Sequence, residues 1–126
     1  MNNNTYFGHT FSDLYNLQRD NQEKMLRKGM YGEKYSKDVL PTDNVELASY
    51  HIQQLMSEIG EVLDADKRWK NFRNDKYSPN DKLDELADCF IVLMNIVMYS
   101  GFTSREVSEA IYNKINVVYK RITGES

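Results

Sequence analysis

VELASYHIQQLMSEIGEV, residues 45–62, places apolar side chains at Val45, Ala48, Ile52, Leu55, Ile59 and Val62. Steps of three and four alternate along that series, which is the period of one helix face and not the strict alternation of a strand. The segment predicts a helix that starts near Asp43, with Glu46 three residues on in capping-box spacing, and runs to about Arg68. Glu58 and Glu61 lie on the flank of its apolar stripe and on one side of the helix, because residues three apart share a face. Gly60 sits between them. Glycine costs a helix interior about 1 kcal/mol relative to alanine, so the sequence leads us to expect a close approach to the backbone there.

Outward from this segment the chain reads as three more helices. WKNFRNDKYSPN at 69–80 breaks the pattern, and Ser78 then caps a helix with Pro79 in its first turn and Asp81 three residues after the cap. Leu83, Leu86, Phe90, Leu93 and Val97 form its expected core stripe, and Gly101 ends it. Thr103 and Glu106 make a capping box for a last helix that continues to about Ile122, before Gly124. Upstream, Thr10 and Asp13 cap a helix from Phe11 to Arg27, closed by Gly29, and a loop with Gly32, Lys34, Lys37 and Pro41 follows. Short connections make consecutive helices antiparallel neighbours, so the expected fold is all-α: a single-domain four-helix bundle over residues 1–126. The third helix is apolar on nearly every side, with Ile91, Val92, Met94, Ile96 and Met98 beside or outside its stripe. One thin bundle has too little chain to cover it, which predicts a homodimer or homotetramer joined through that helix.

Composition removes several classes of function. A net charge of −3 gives no electrostatic case for nucleic acid as a partner. The one cysteine, Cys89, excludes an internal disulfide, and its neighbours Ala87, Phe90 and Leu93 suit a buried, inert thiol. The apolar run from Cys89 to Tyr99 is too short to span a bilayer and is interrupted by Asn95. MNNNTYFGHT has neither the basic start nor the apolar core of a signal peptide, so the expected location is cytoplasmic, with no membrane partner.

The chemistry concentrates in two acidic pairs. Glu85 and Asp88, in DELAD, repeat the three-residue spacing of Glu58 and Glu61 on the next helix, and an antiparallel hairpin brings both pairs to a similar height. Each pair alone suits a solvated helix face. Four together repel strongly in a bundle and become tolerable with cations between them. Oxygen-only donors select the hard ions Mg²⁺ or Mn²⁺. A di-iron bundle needs Glu-x-x-His pairs, and neither His9 nor His51 follows a glutamate by three residues. A metal-assisted phosphoanhydride or phosphate-ester site is therefore the leading expectation, and a catalytically idle helical adaptor is the alternative.

EIGE at 58–61, DELAD at 84–88 and a last helix bearing Lys114 and Arg121 resemble the all-α nucleoside triphosphate pyrophosphohydrolases, which include the MazG-like proteins, the all-α dCTP pyrophosphatases and the dimeric dUTPases. The resemblance spans about residues 11–122. It implies Mg²⁺ held by Glu58, Glu61, Glu85 and Asp88, with Glu58 or Glu61 orienting or deprotonating the attacking water. The implied reaction converts a (deoxy)nucleoside triphosphate to its monophosphate and pyrophosphate, which sanitises or balances a nucleotide pool. Gln18 and Asn21 in LYNLQRDNQEK match a glutamine and asparagine that read a pyrimidine in the dUTPase branch, favouring dUTP or dCTP. Two positions depart from that branch: Ile91 stands where it carries a histidine, and Val118 where it carries an asparagine. Lys67, Arg68 and Lys70, with Arg73, Lys114, Lys120 and Arg121, are either phosphate-binding cations or solvated charge near helix ends. Trp69, Phe72 and Tyr77 either stack on a base or pack the loop.

Overall fold

In a computed structural model that describes residues 8–69 and 77–125, helix starts follow local capping chemistry. α1 (Phe11–Arg27) begins at Thr10, whose hydroxyl accepts the Asp13 N–H while the Asp13 carboxylate accepts the Thr10 N–H. α3 (Pro79–Tyr99) begins at Ser78, and α4 (Ser104–Thr123) at the reciprocal box of Thr103 and Glu106. These three starts agree with the sequence. For α2 (Val45–Ala65) the cap is Asn44, whose side chain accepts the Leu47 N–H, and not Asp43. Asp43 is engaged elsewhere, in an isolated antiparallel bridge to Ser100. The N–H groups of Thr42 and Asn44 donate to the carbonyls of Met98 and Tyr99 at 2.9 and 2.8 Å, tying the α1–α2 connection to the end of α3. Gly101 makes room for this: its φ is +86°, and a Cβ there would lie 3.2 Å from the Asp43 nitrogen.

α2 ends at Ala65, with Asp66 as its C-cap, three residues short of the expected Arg68; Lys67–Trp69 form a separate 3₁₀ turn. Contacts between Asp43 and Ser100, Glu58 and Glu85, and Asp66 and Lys82 run in opposite directions along the two helices, so α2 and α3 are an antiparallel hairpin. α1 lies against α3, and α4 packs on α1. Among the described residues the fold is all-α with no sheet. No described helix is long and apolar enough to cross a membrane.

The core occupies the end of the bundle where α1, the start of α2 and the end of α3 meet. Tyr15, Leu26, Leu40, Leu47, Met94, Met98 and Tyr99 are buried there. Its phase corrects the expected stripes. On α3, Leu83 and Phe90 are 64% and 66% exposed, and Leu86 and Leu93 also face outward, whereas Val92, Met94 and Met98 are buried within the chain. Those three are therefore unavailable to a partner, and only Val97 of the expected stripe packs on the core. On α2, Val45, Ile52 and Ile59 are exposed while Leu47 and His51 are buried. No described side chain of α4 is buried.

Candidate metal centre and its cleft

Glu58 and Glu61 on α2 and Glu85 on α3 each offer a carboxylate oxygen, and the three oxygens lie within 4.8 Å of one another. The hairpin register makes this possible, as the sequence predicts. Glu58 and Glu85 are half-buried, and Oε2 of each is closed off from solvent with no hydrogen-bond partner among the described residues. Burial pushes both carboxyls above the usual range, and the charges of Glu61 and Asp88 push the same way. Asp88 is exposed and stands outside the three-oxygen group, acting on it through its field. The Cys89 thiol is likewise pushed up by burial and by these carboxylates, so it stays protonated, in keeping with an inert thiol.

A buried carboxylate oxygen without a donor is costly, and two of them beside the exposed Glu61 carboxylate cost more. Divalent-cation binding reverses both terms, because the ion supplies the missing partner and neutralises the mutual repulsion. The donor set is all oxygen and all anionic, which suits a hard divalent ion. The three glutamates thus fit a divalent cation by geometry and by chemistry. Gly60, in contrast, has none of the described residues within 4 Å of where its Cβ would be, so none of them makes the expected close approach.

Glu58 and Asp88 also form one end of a cleft of about 790 Å³ between α1, α2 and α3. Gln18 lines it, donating to Asn95 Oδ1 at 3.0 Å and accepting from Asn21 Nδ2 at 3.4 Å. Tyr31, Tyr50, His51 and Asn95 line it too, residues outside the set that the sequence marks for the site. Their signal was spacing: His51 precedes Glu58 by seven residues and Asn95 follows Asp88 by seven, two helical turns along the same faces. Gln22 braces the wall, since its Oε1 accepts the hydroxyls of both Tyr31 and Tyr99 at 2.8 Å.

The expected phosphate-binding residues whose side chains are described do not line the cleft. Arg68 forks onto Asp66 at 2.6 and 2.8 Å and lays its guanidinium over Tyr77 at 3.8 Å, so it braces the far end of the hairpin. Asp66 also accepts Lys82 Nζ at 2.8 Å. Trp69 donates its indole N–H to the Leu63 carbonyl and lines a separate hollow beside Ile59 and Gly60. Lys67 belongs to the 3₁₀ turn, while Lys70, Phe72 and Arg73 lie outside the described residues. Lys114 and Arg121 are exposed on α4, and among the described residues no lysine or arginine lines the cleft. Set against known proteins, the chain matches no family model, no curated protein and no solved structure.

Proposed function

We propose that the chain is a Mg²⁺-dependent nucleoside triphosphate pyrophosphohydrolase, able to use Mn²⁺, that clears or balances a nucleotide pool. The observation that carries the reading is the pair of buried oxygens without a partner among the described residues, Glu58 Oε2 and Glu85 Oε2, beside Glu61, with Glu58 also lining a nucleoside-sized cleft. In this reading Glu58, Glu61 and Glu85 hold the ion and Asp88 completes the set. The ion, when bound, neutralises phosphate charge and stabilises the departing pyrophosphate. Glu58 or Glu61 orients the attacking water and takes its proton; burial raises the basicity of Glu58, which favours it as the acceptor. Gln18, which lines the cleft, reads the base, with Asn21 hydrogen-bonded to it from outside the lining and a pyrimidine favoured.

The test is a panel of ribo- and deoxyribonucleoside triphosphates with Mg²⁺, with products separated as monophosphate, pyrophosphate and orthophosphate. Monophosphate and pyrophosphate in equal amounts are expected, with a pyrimidine deoxynucleotide turned over fastest. Orthophosphate as the first product, or no turnover of any member, would overturn the proposal.

A further inference from the structure

His51 is 1% exposed, and its surroundings fix which of its nitrogens can serve a ligand. Its ring is stacked on Tyr99, with centroids 5.1 Å apart and planes 11° from parallel, and it meets Tyr31 and Tyr50 edge-on. Nδ1 lies 3.1 Å from Gln54 Oε1, an acceptor, so Nδ1 carries the proton and donates. Nε2 is then the lone-pair nitrogen. It is buried and has no hydrogen-bond partner among the described residues. Burial also pushes the imidazole below its usual range, which keeps the ring neutral.

The same wall offers donors. Asn95 accepts from Gln18 through Oδ1, and its amide nitrogen makes no hydrogen bond among the described residues. Gln22 spends its Oε1 on two tyrosine hydroxyls and directs its Nε2 only at the Met25 sulfur, 3.6 Å away. A buried polar atom left without a partner signals one that comes from outside the fold. Nε2 is reached only if a neighbouring ring gives way. Tyr99 is fully buried and Tyr31 is held to Gln22, whereas Tyr50 is half-exposed and lines the cleft.

We infer that His51 is a specificity-determining residue of this cleft: its Nε2 accepts a hydrogen bond from an N–H of a heterocyclic base, while the amides of Gln22 and Asn95 face that base's acceptors. A base whose edge carries both a donor and acceptors is selected; one presenting acceptors alone leaves Nε2 buried and unpaired, and is rejected. A pyrimidine imide N–H and a pyrimidine exocyclic amine share this chemistry. The inference rests on the nucleotide reading above but concerns the base end of the cleft alone.

Calorimetric binding of four nucleosides tests it without metal or phosphate: deoxyuridine against N3-methyldeoxyuridine, and deoxycytidine against the 2-pyrimidinone deoxyriboside that lacks the amine. In the wild type, loss of the N–H weakens binding roughly tenfold or more in one pair, and that pair identifies the donor. His51→Asn and His51→Phe bind both members of that pair alike, whereas His51→Gln, whose amide oxygen reaches the position of Nε2, keeps the preference. Circular dichroism checks that each variant folds. Should they not fold, ¹⁵N spectra of histidine-labelled wild type give the same answer, because the unprotonated Nε2 resonance shifts only with the N–H-bearing member. Equal binding within both wild-type pairs, a His51→Asn variant that still discriminates, an unmoved Nε2 resonance, or no nucleoside binding at all would overturn the inference. If discrimination is present but no triphosphate is hydrolysed, the hydrolase reading falls and the His51 assignment stands.

Discussion

Glu58 of α2 and Glu85 of α3 face each other across the hairpin with carboxylate oxygens within 4.8 Å, and each has a buried Oε2 that makes no hydrogen bond among the described residues. Two like charges held so close oppose folding unless something lies between them. Glu85→Gln should therefore raise the melting temperature of the metal-free protein while abolishing both turnover and the thermal stabilisation that Mg²⁺ gives the wild type. Glu58→Gln should behave alike. Differential scanning fluorimetry with EDTA and with Mg²⁺, beside a pyrophosphate-release assay, reads all three quantities. A Glu85→Gln protein that is active and still stabilised by Mg²⁺ would remove the acidic centre from the mechanism.

The same pair sets a pH dependence. Both carboxyls hold their proton more tightly folded than unfolded, so the native state carries the extra protons between the unfolded value of about 4.3 and the raised folded value. Their contribution to stability is fully present below the unfolded value and is lost as pH rises through the folded one. Asp66 runs the other way. Arg68 and Lys82 hold its carboxyl well below the usual range, so its contribution is present above roughly pH 3.9 and is lost as pH falls. With EDTA, melting temperature should thus peak in mildly acidic buffer and decline toward neutrality. With Mg²⁺ the decline should vanish, because cation binding strengthens as the ligands deprotonate. A metal-free profile that rises steadily to pH 7 would contradict this.

Gln22 yields a prediction about stability alone. Its Oε1 accepts two tyrosine hydroxyls, and Tyr99 is fully buried. Gln22→Leu keeps the volume and strands both donors, at an expected cost of roughly 2–4 kcal/mol in urea denaturation. Tyr99→Phe should cost less in the Gln22→Leu background than in the wild type, since its hydroxyl has already lost its acceptor. Additive losses would show that the hydroxyls find other partners.

How far this was legible in the sequence depends on the range of the forces involved. Thr10, Ser78 and Thr103 marked helix starts correctly because a cap is settled within four residues. Asp43 misled because its role is a bridge to Ser100, a contact no local pattern reveals. The acidic hairpin was readable because i,i+3 spacing and an antiparallel turn together fix where Glu58, Glu61 and Glu85 meet. The phase of α3 was not, because a helix apolar on nearly all sides has no polar face to orient it, and the stripe chosen as core proved to be the exposed one. His51 was passed over for a related reason: read for metal ligation, it had no glutamate partner, while its burial against Tyr99 depends on tertiary packing.

The exposed apolar faces carry the last prediction, that the folded and active form is a homodimer or a dimer-based tetramer. Among the described residues many large apolar side chains stand exposed, which a solitary chain has no reason to keep. Leu83 and Phe90 of α3 face outward, and beside them a cleft of about 350 Å³ between α1, α3 and α4 is walled by Phe11, Leu14, Leu93, Val107 and Ile111. On α4, Ile115 and Ile122 are 61% and 79% exposed. A symmetric contact buries such a face on both copies at once, so a single Phe90→Glu substitution places two charges in the interface. A second copy also bears on the chemistry: among the described residues no lysine or arginine lines the cleft, and Lys114 and Arg121 of a neighbouring copy are proposed to serve the triphosphate there. Light scattering should give a dimer or tetramer at micromolar concentration, and Phe90→Glu should shift it toward a less stable, less active monomer. Lys114→Ala and Arg121→Ala should raise KM without changing assembly. A wild-type protein that is fully active as a monomer would refute the prediction.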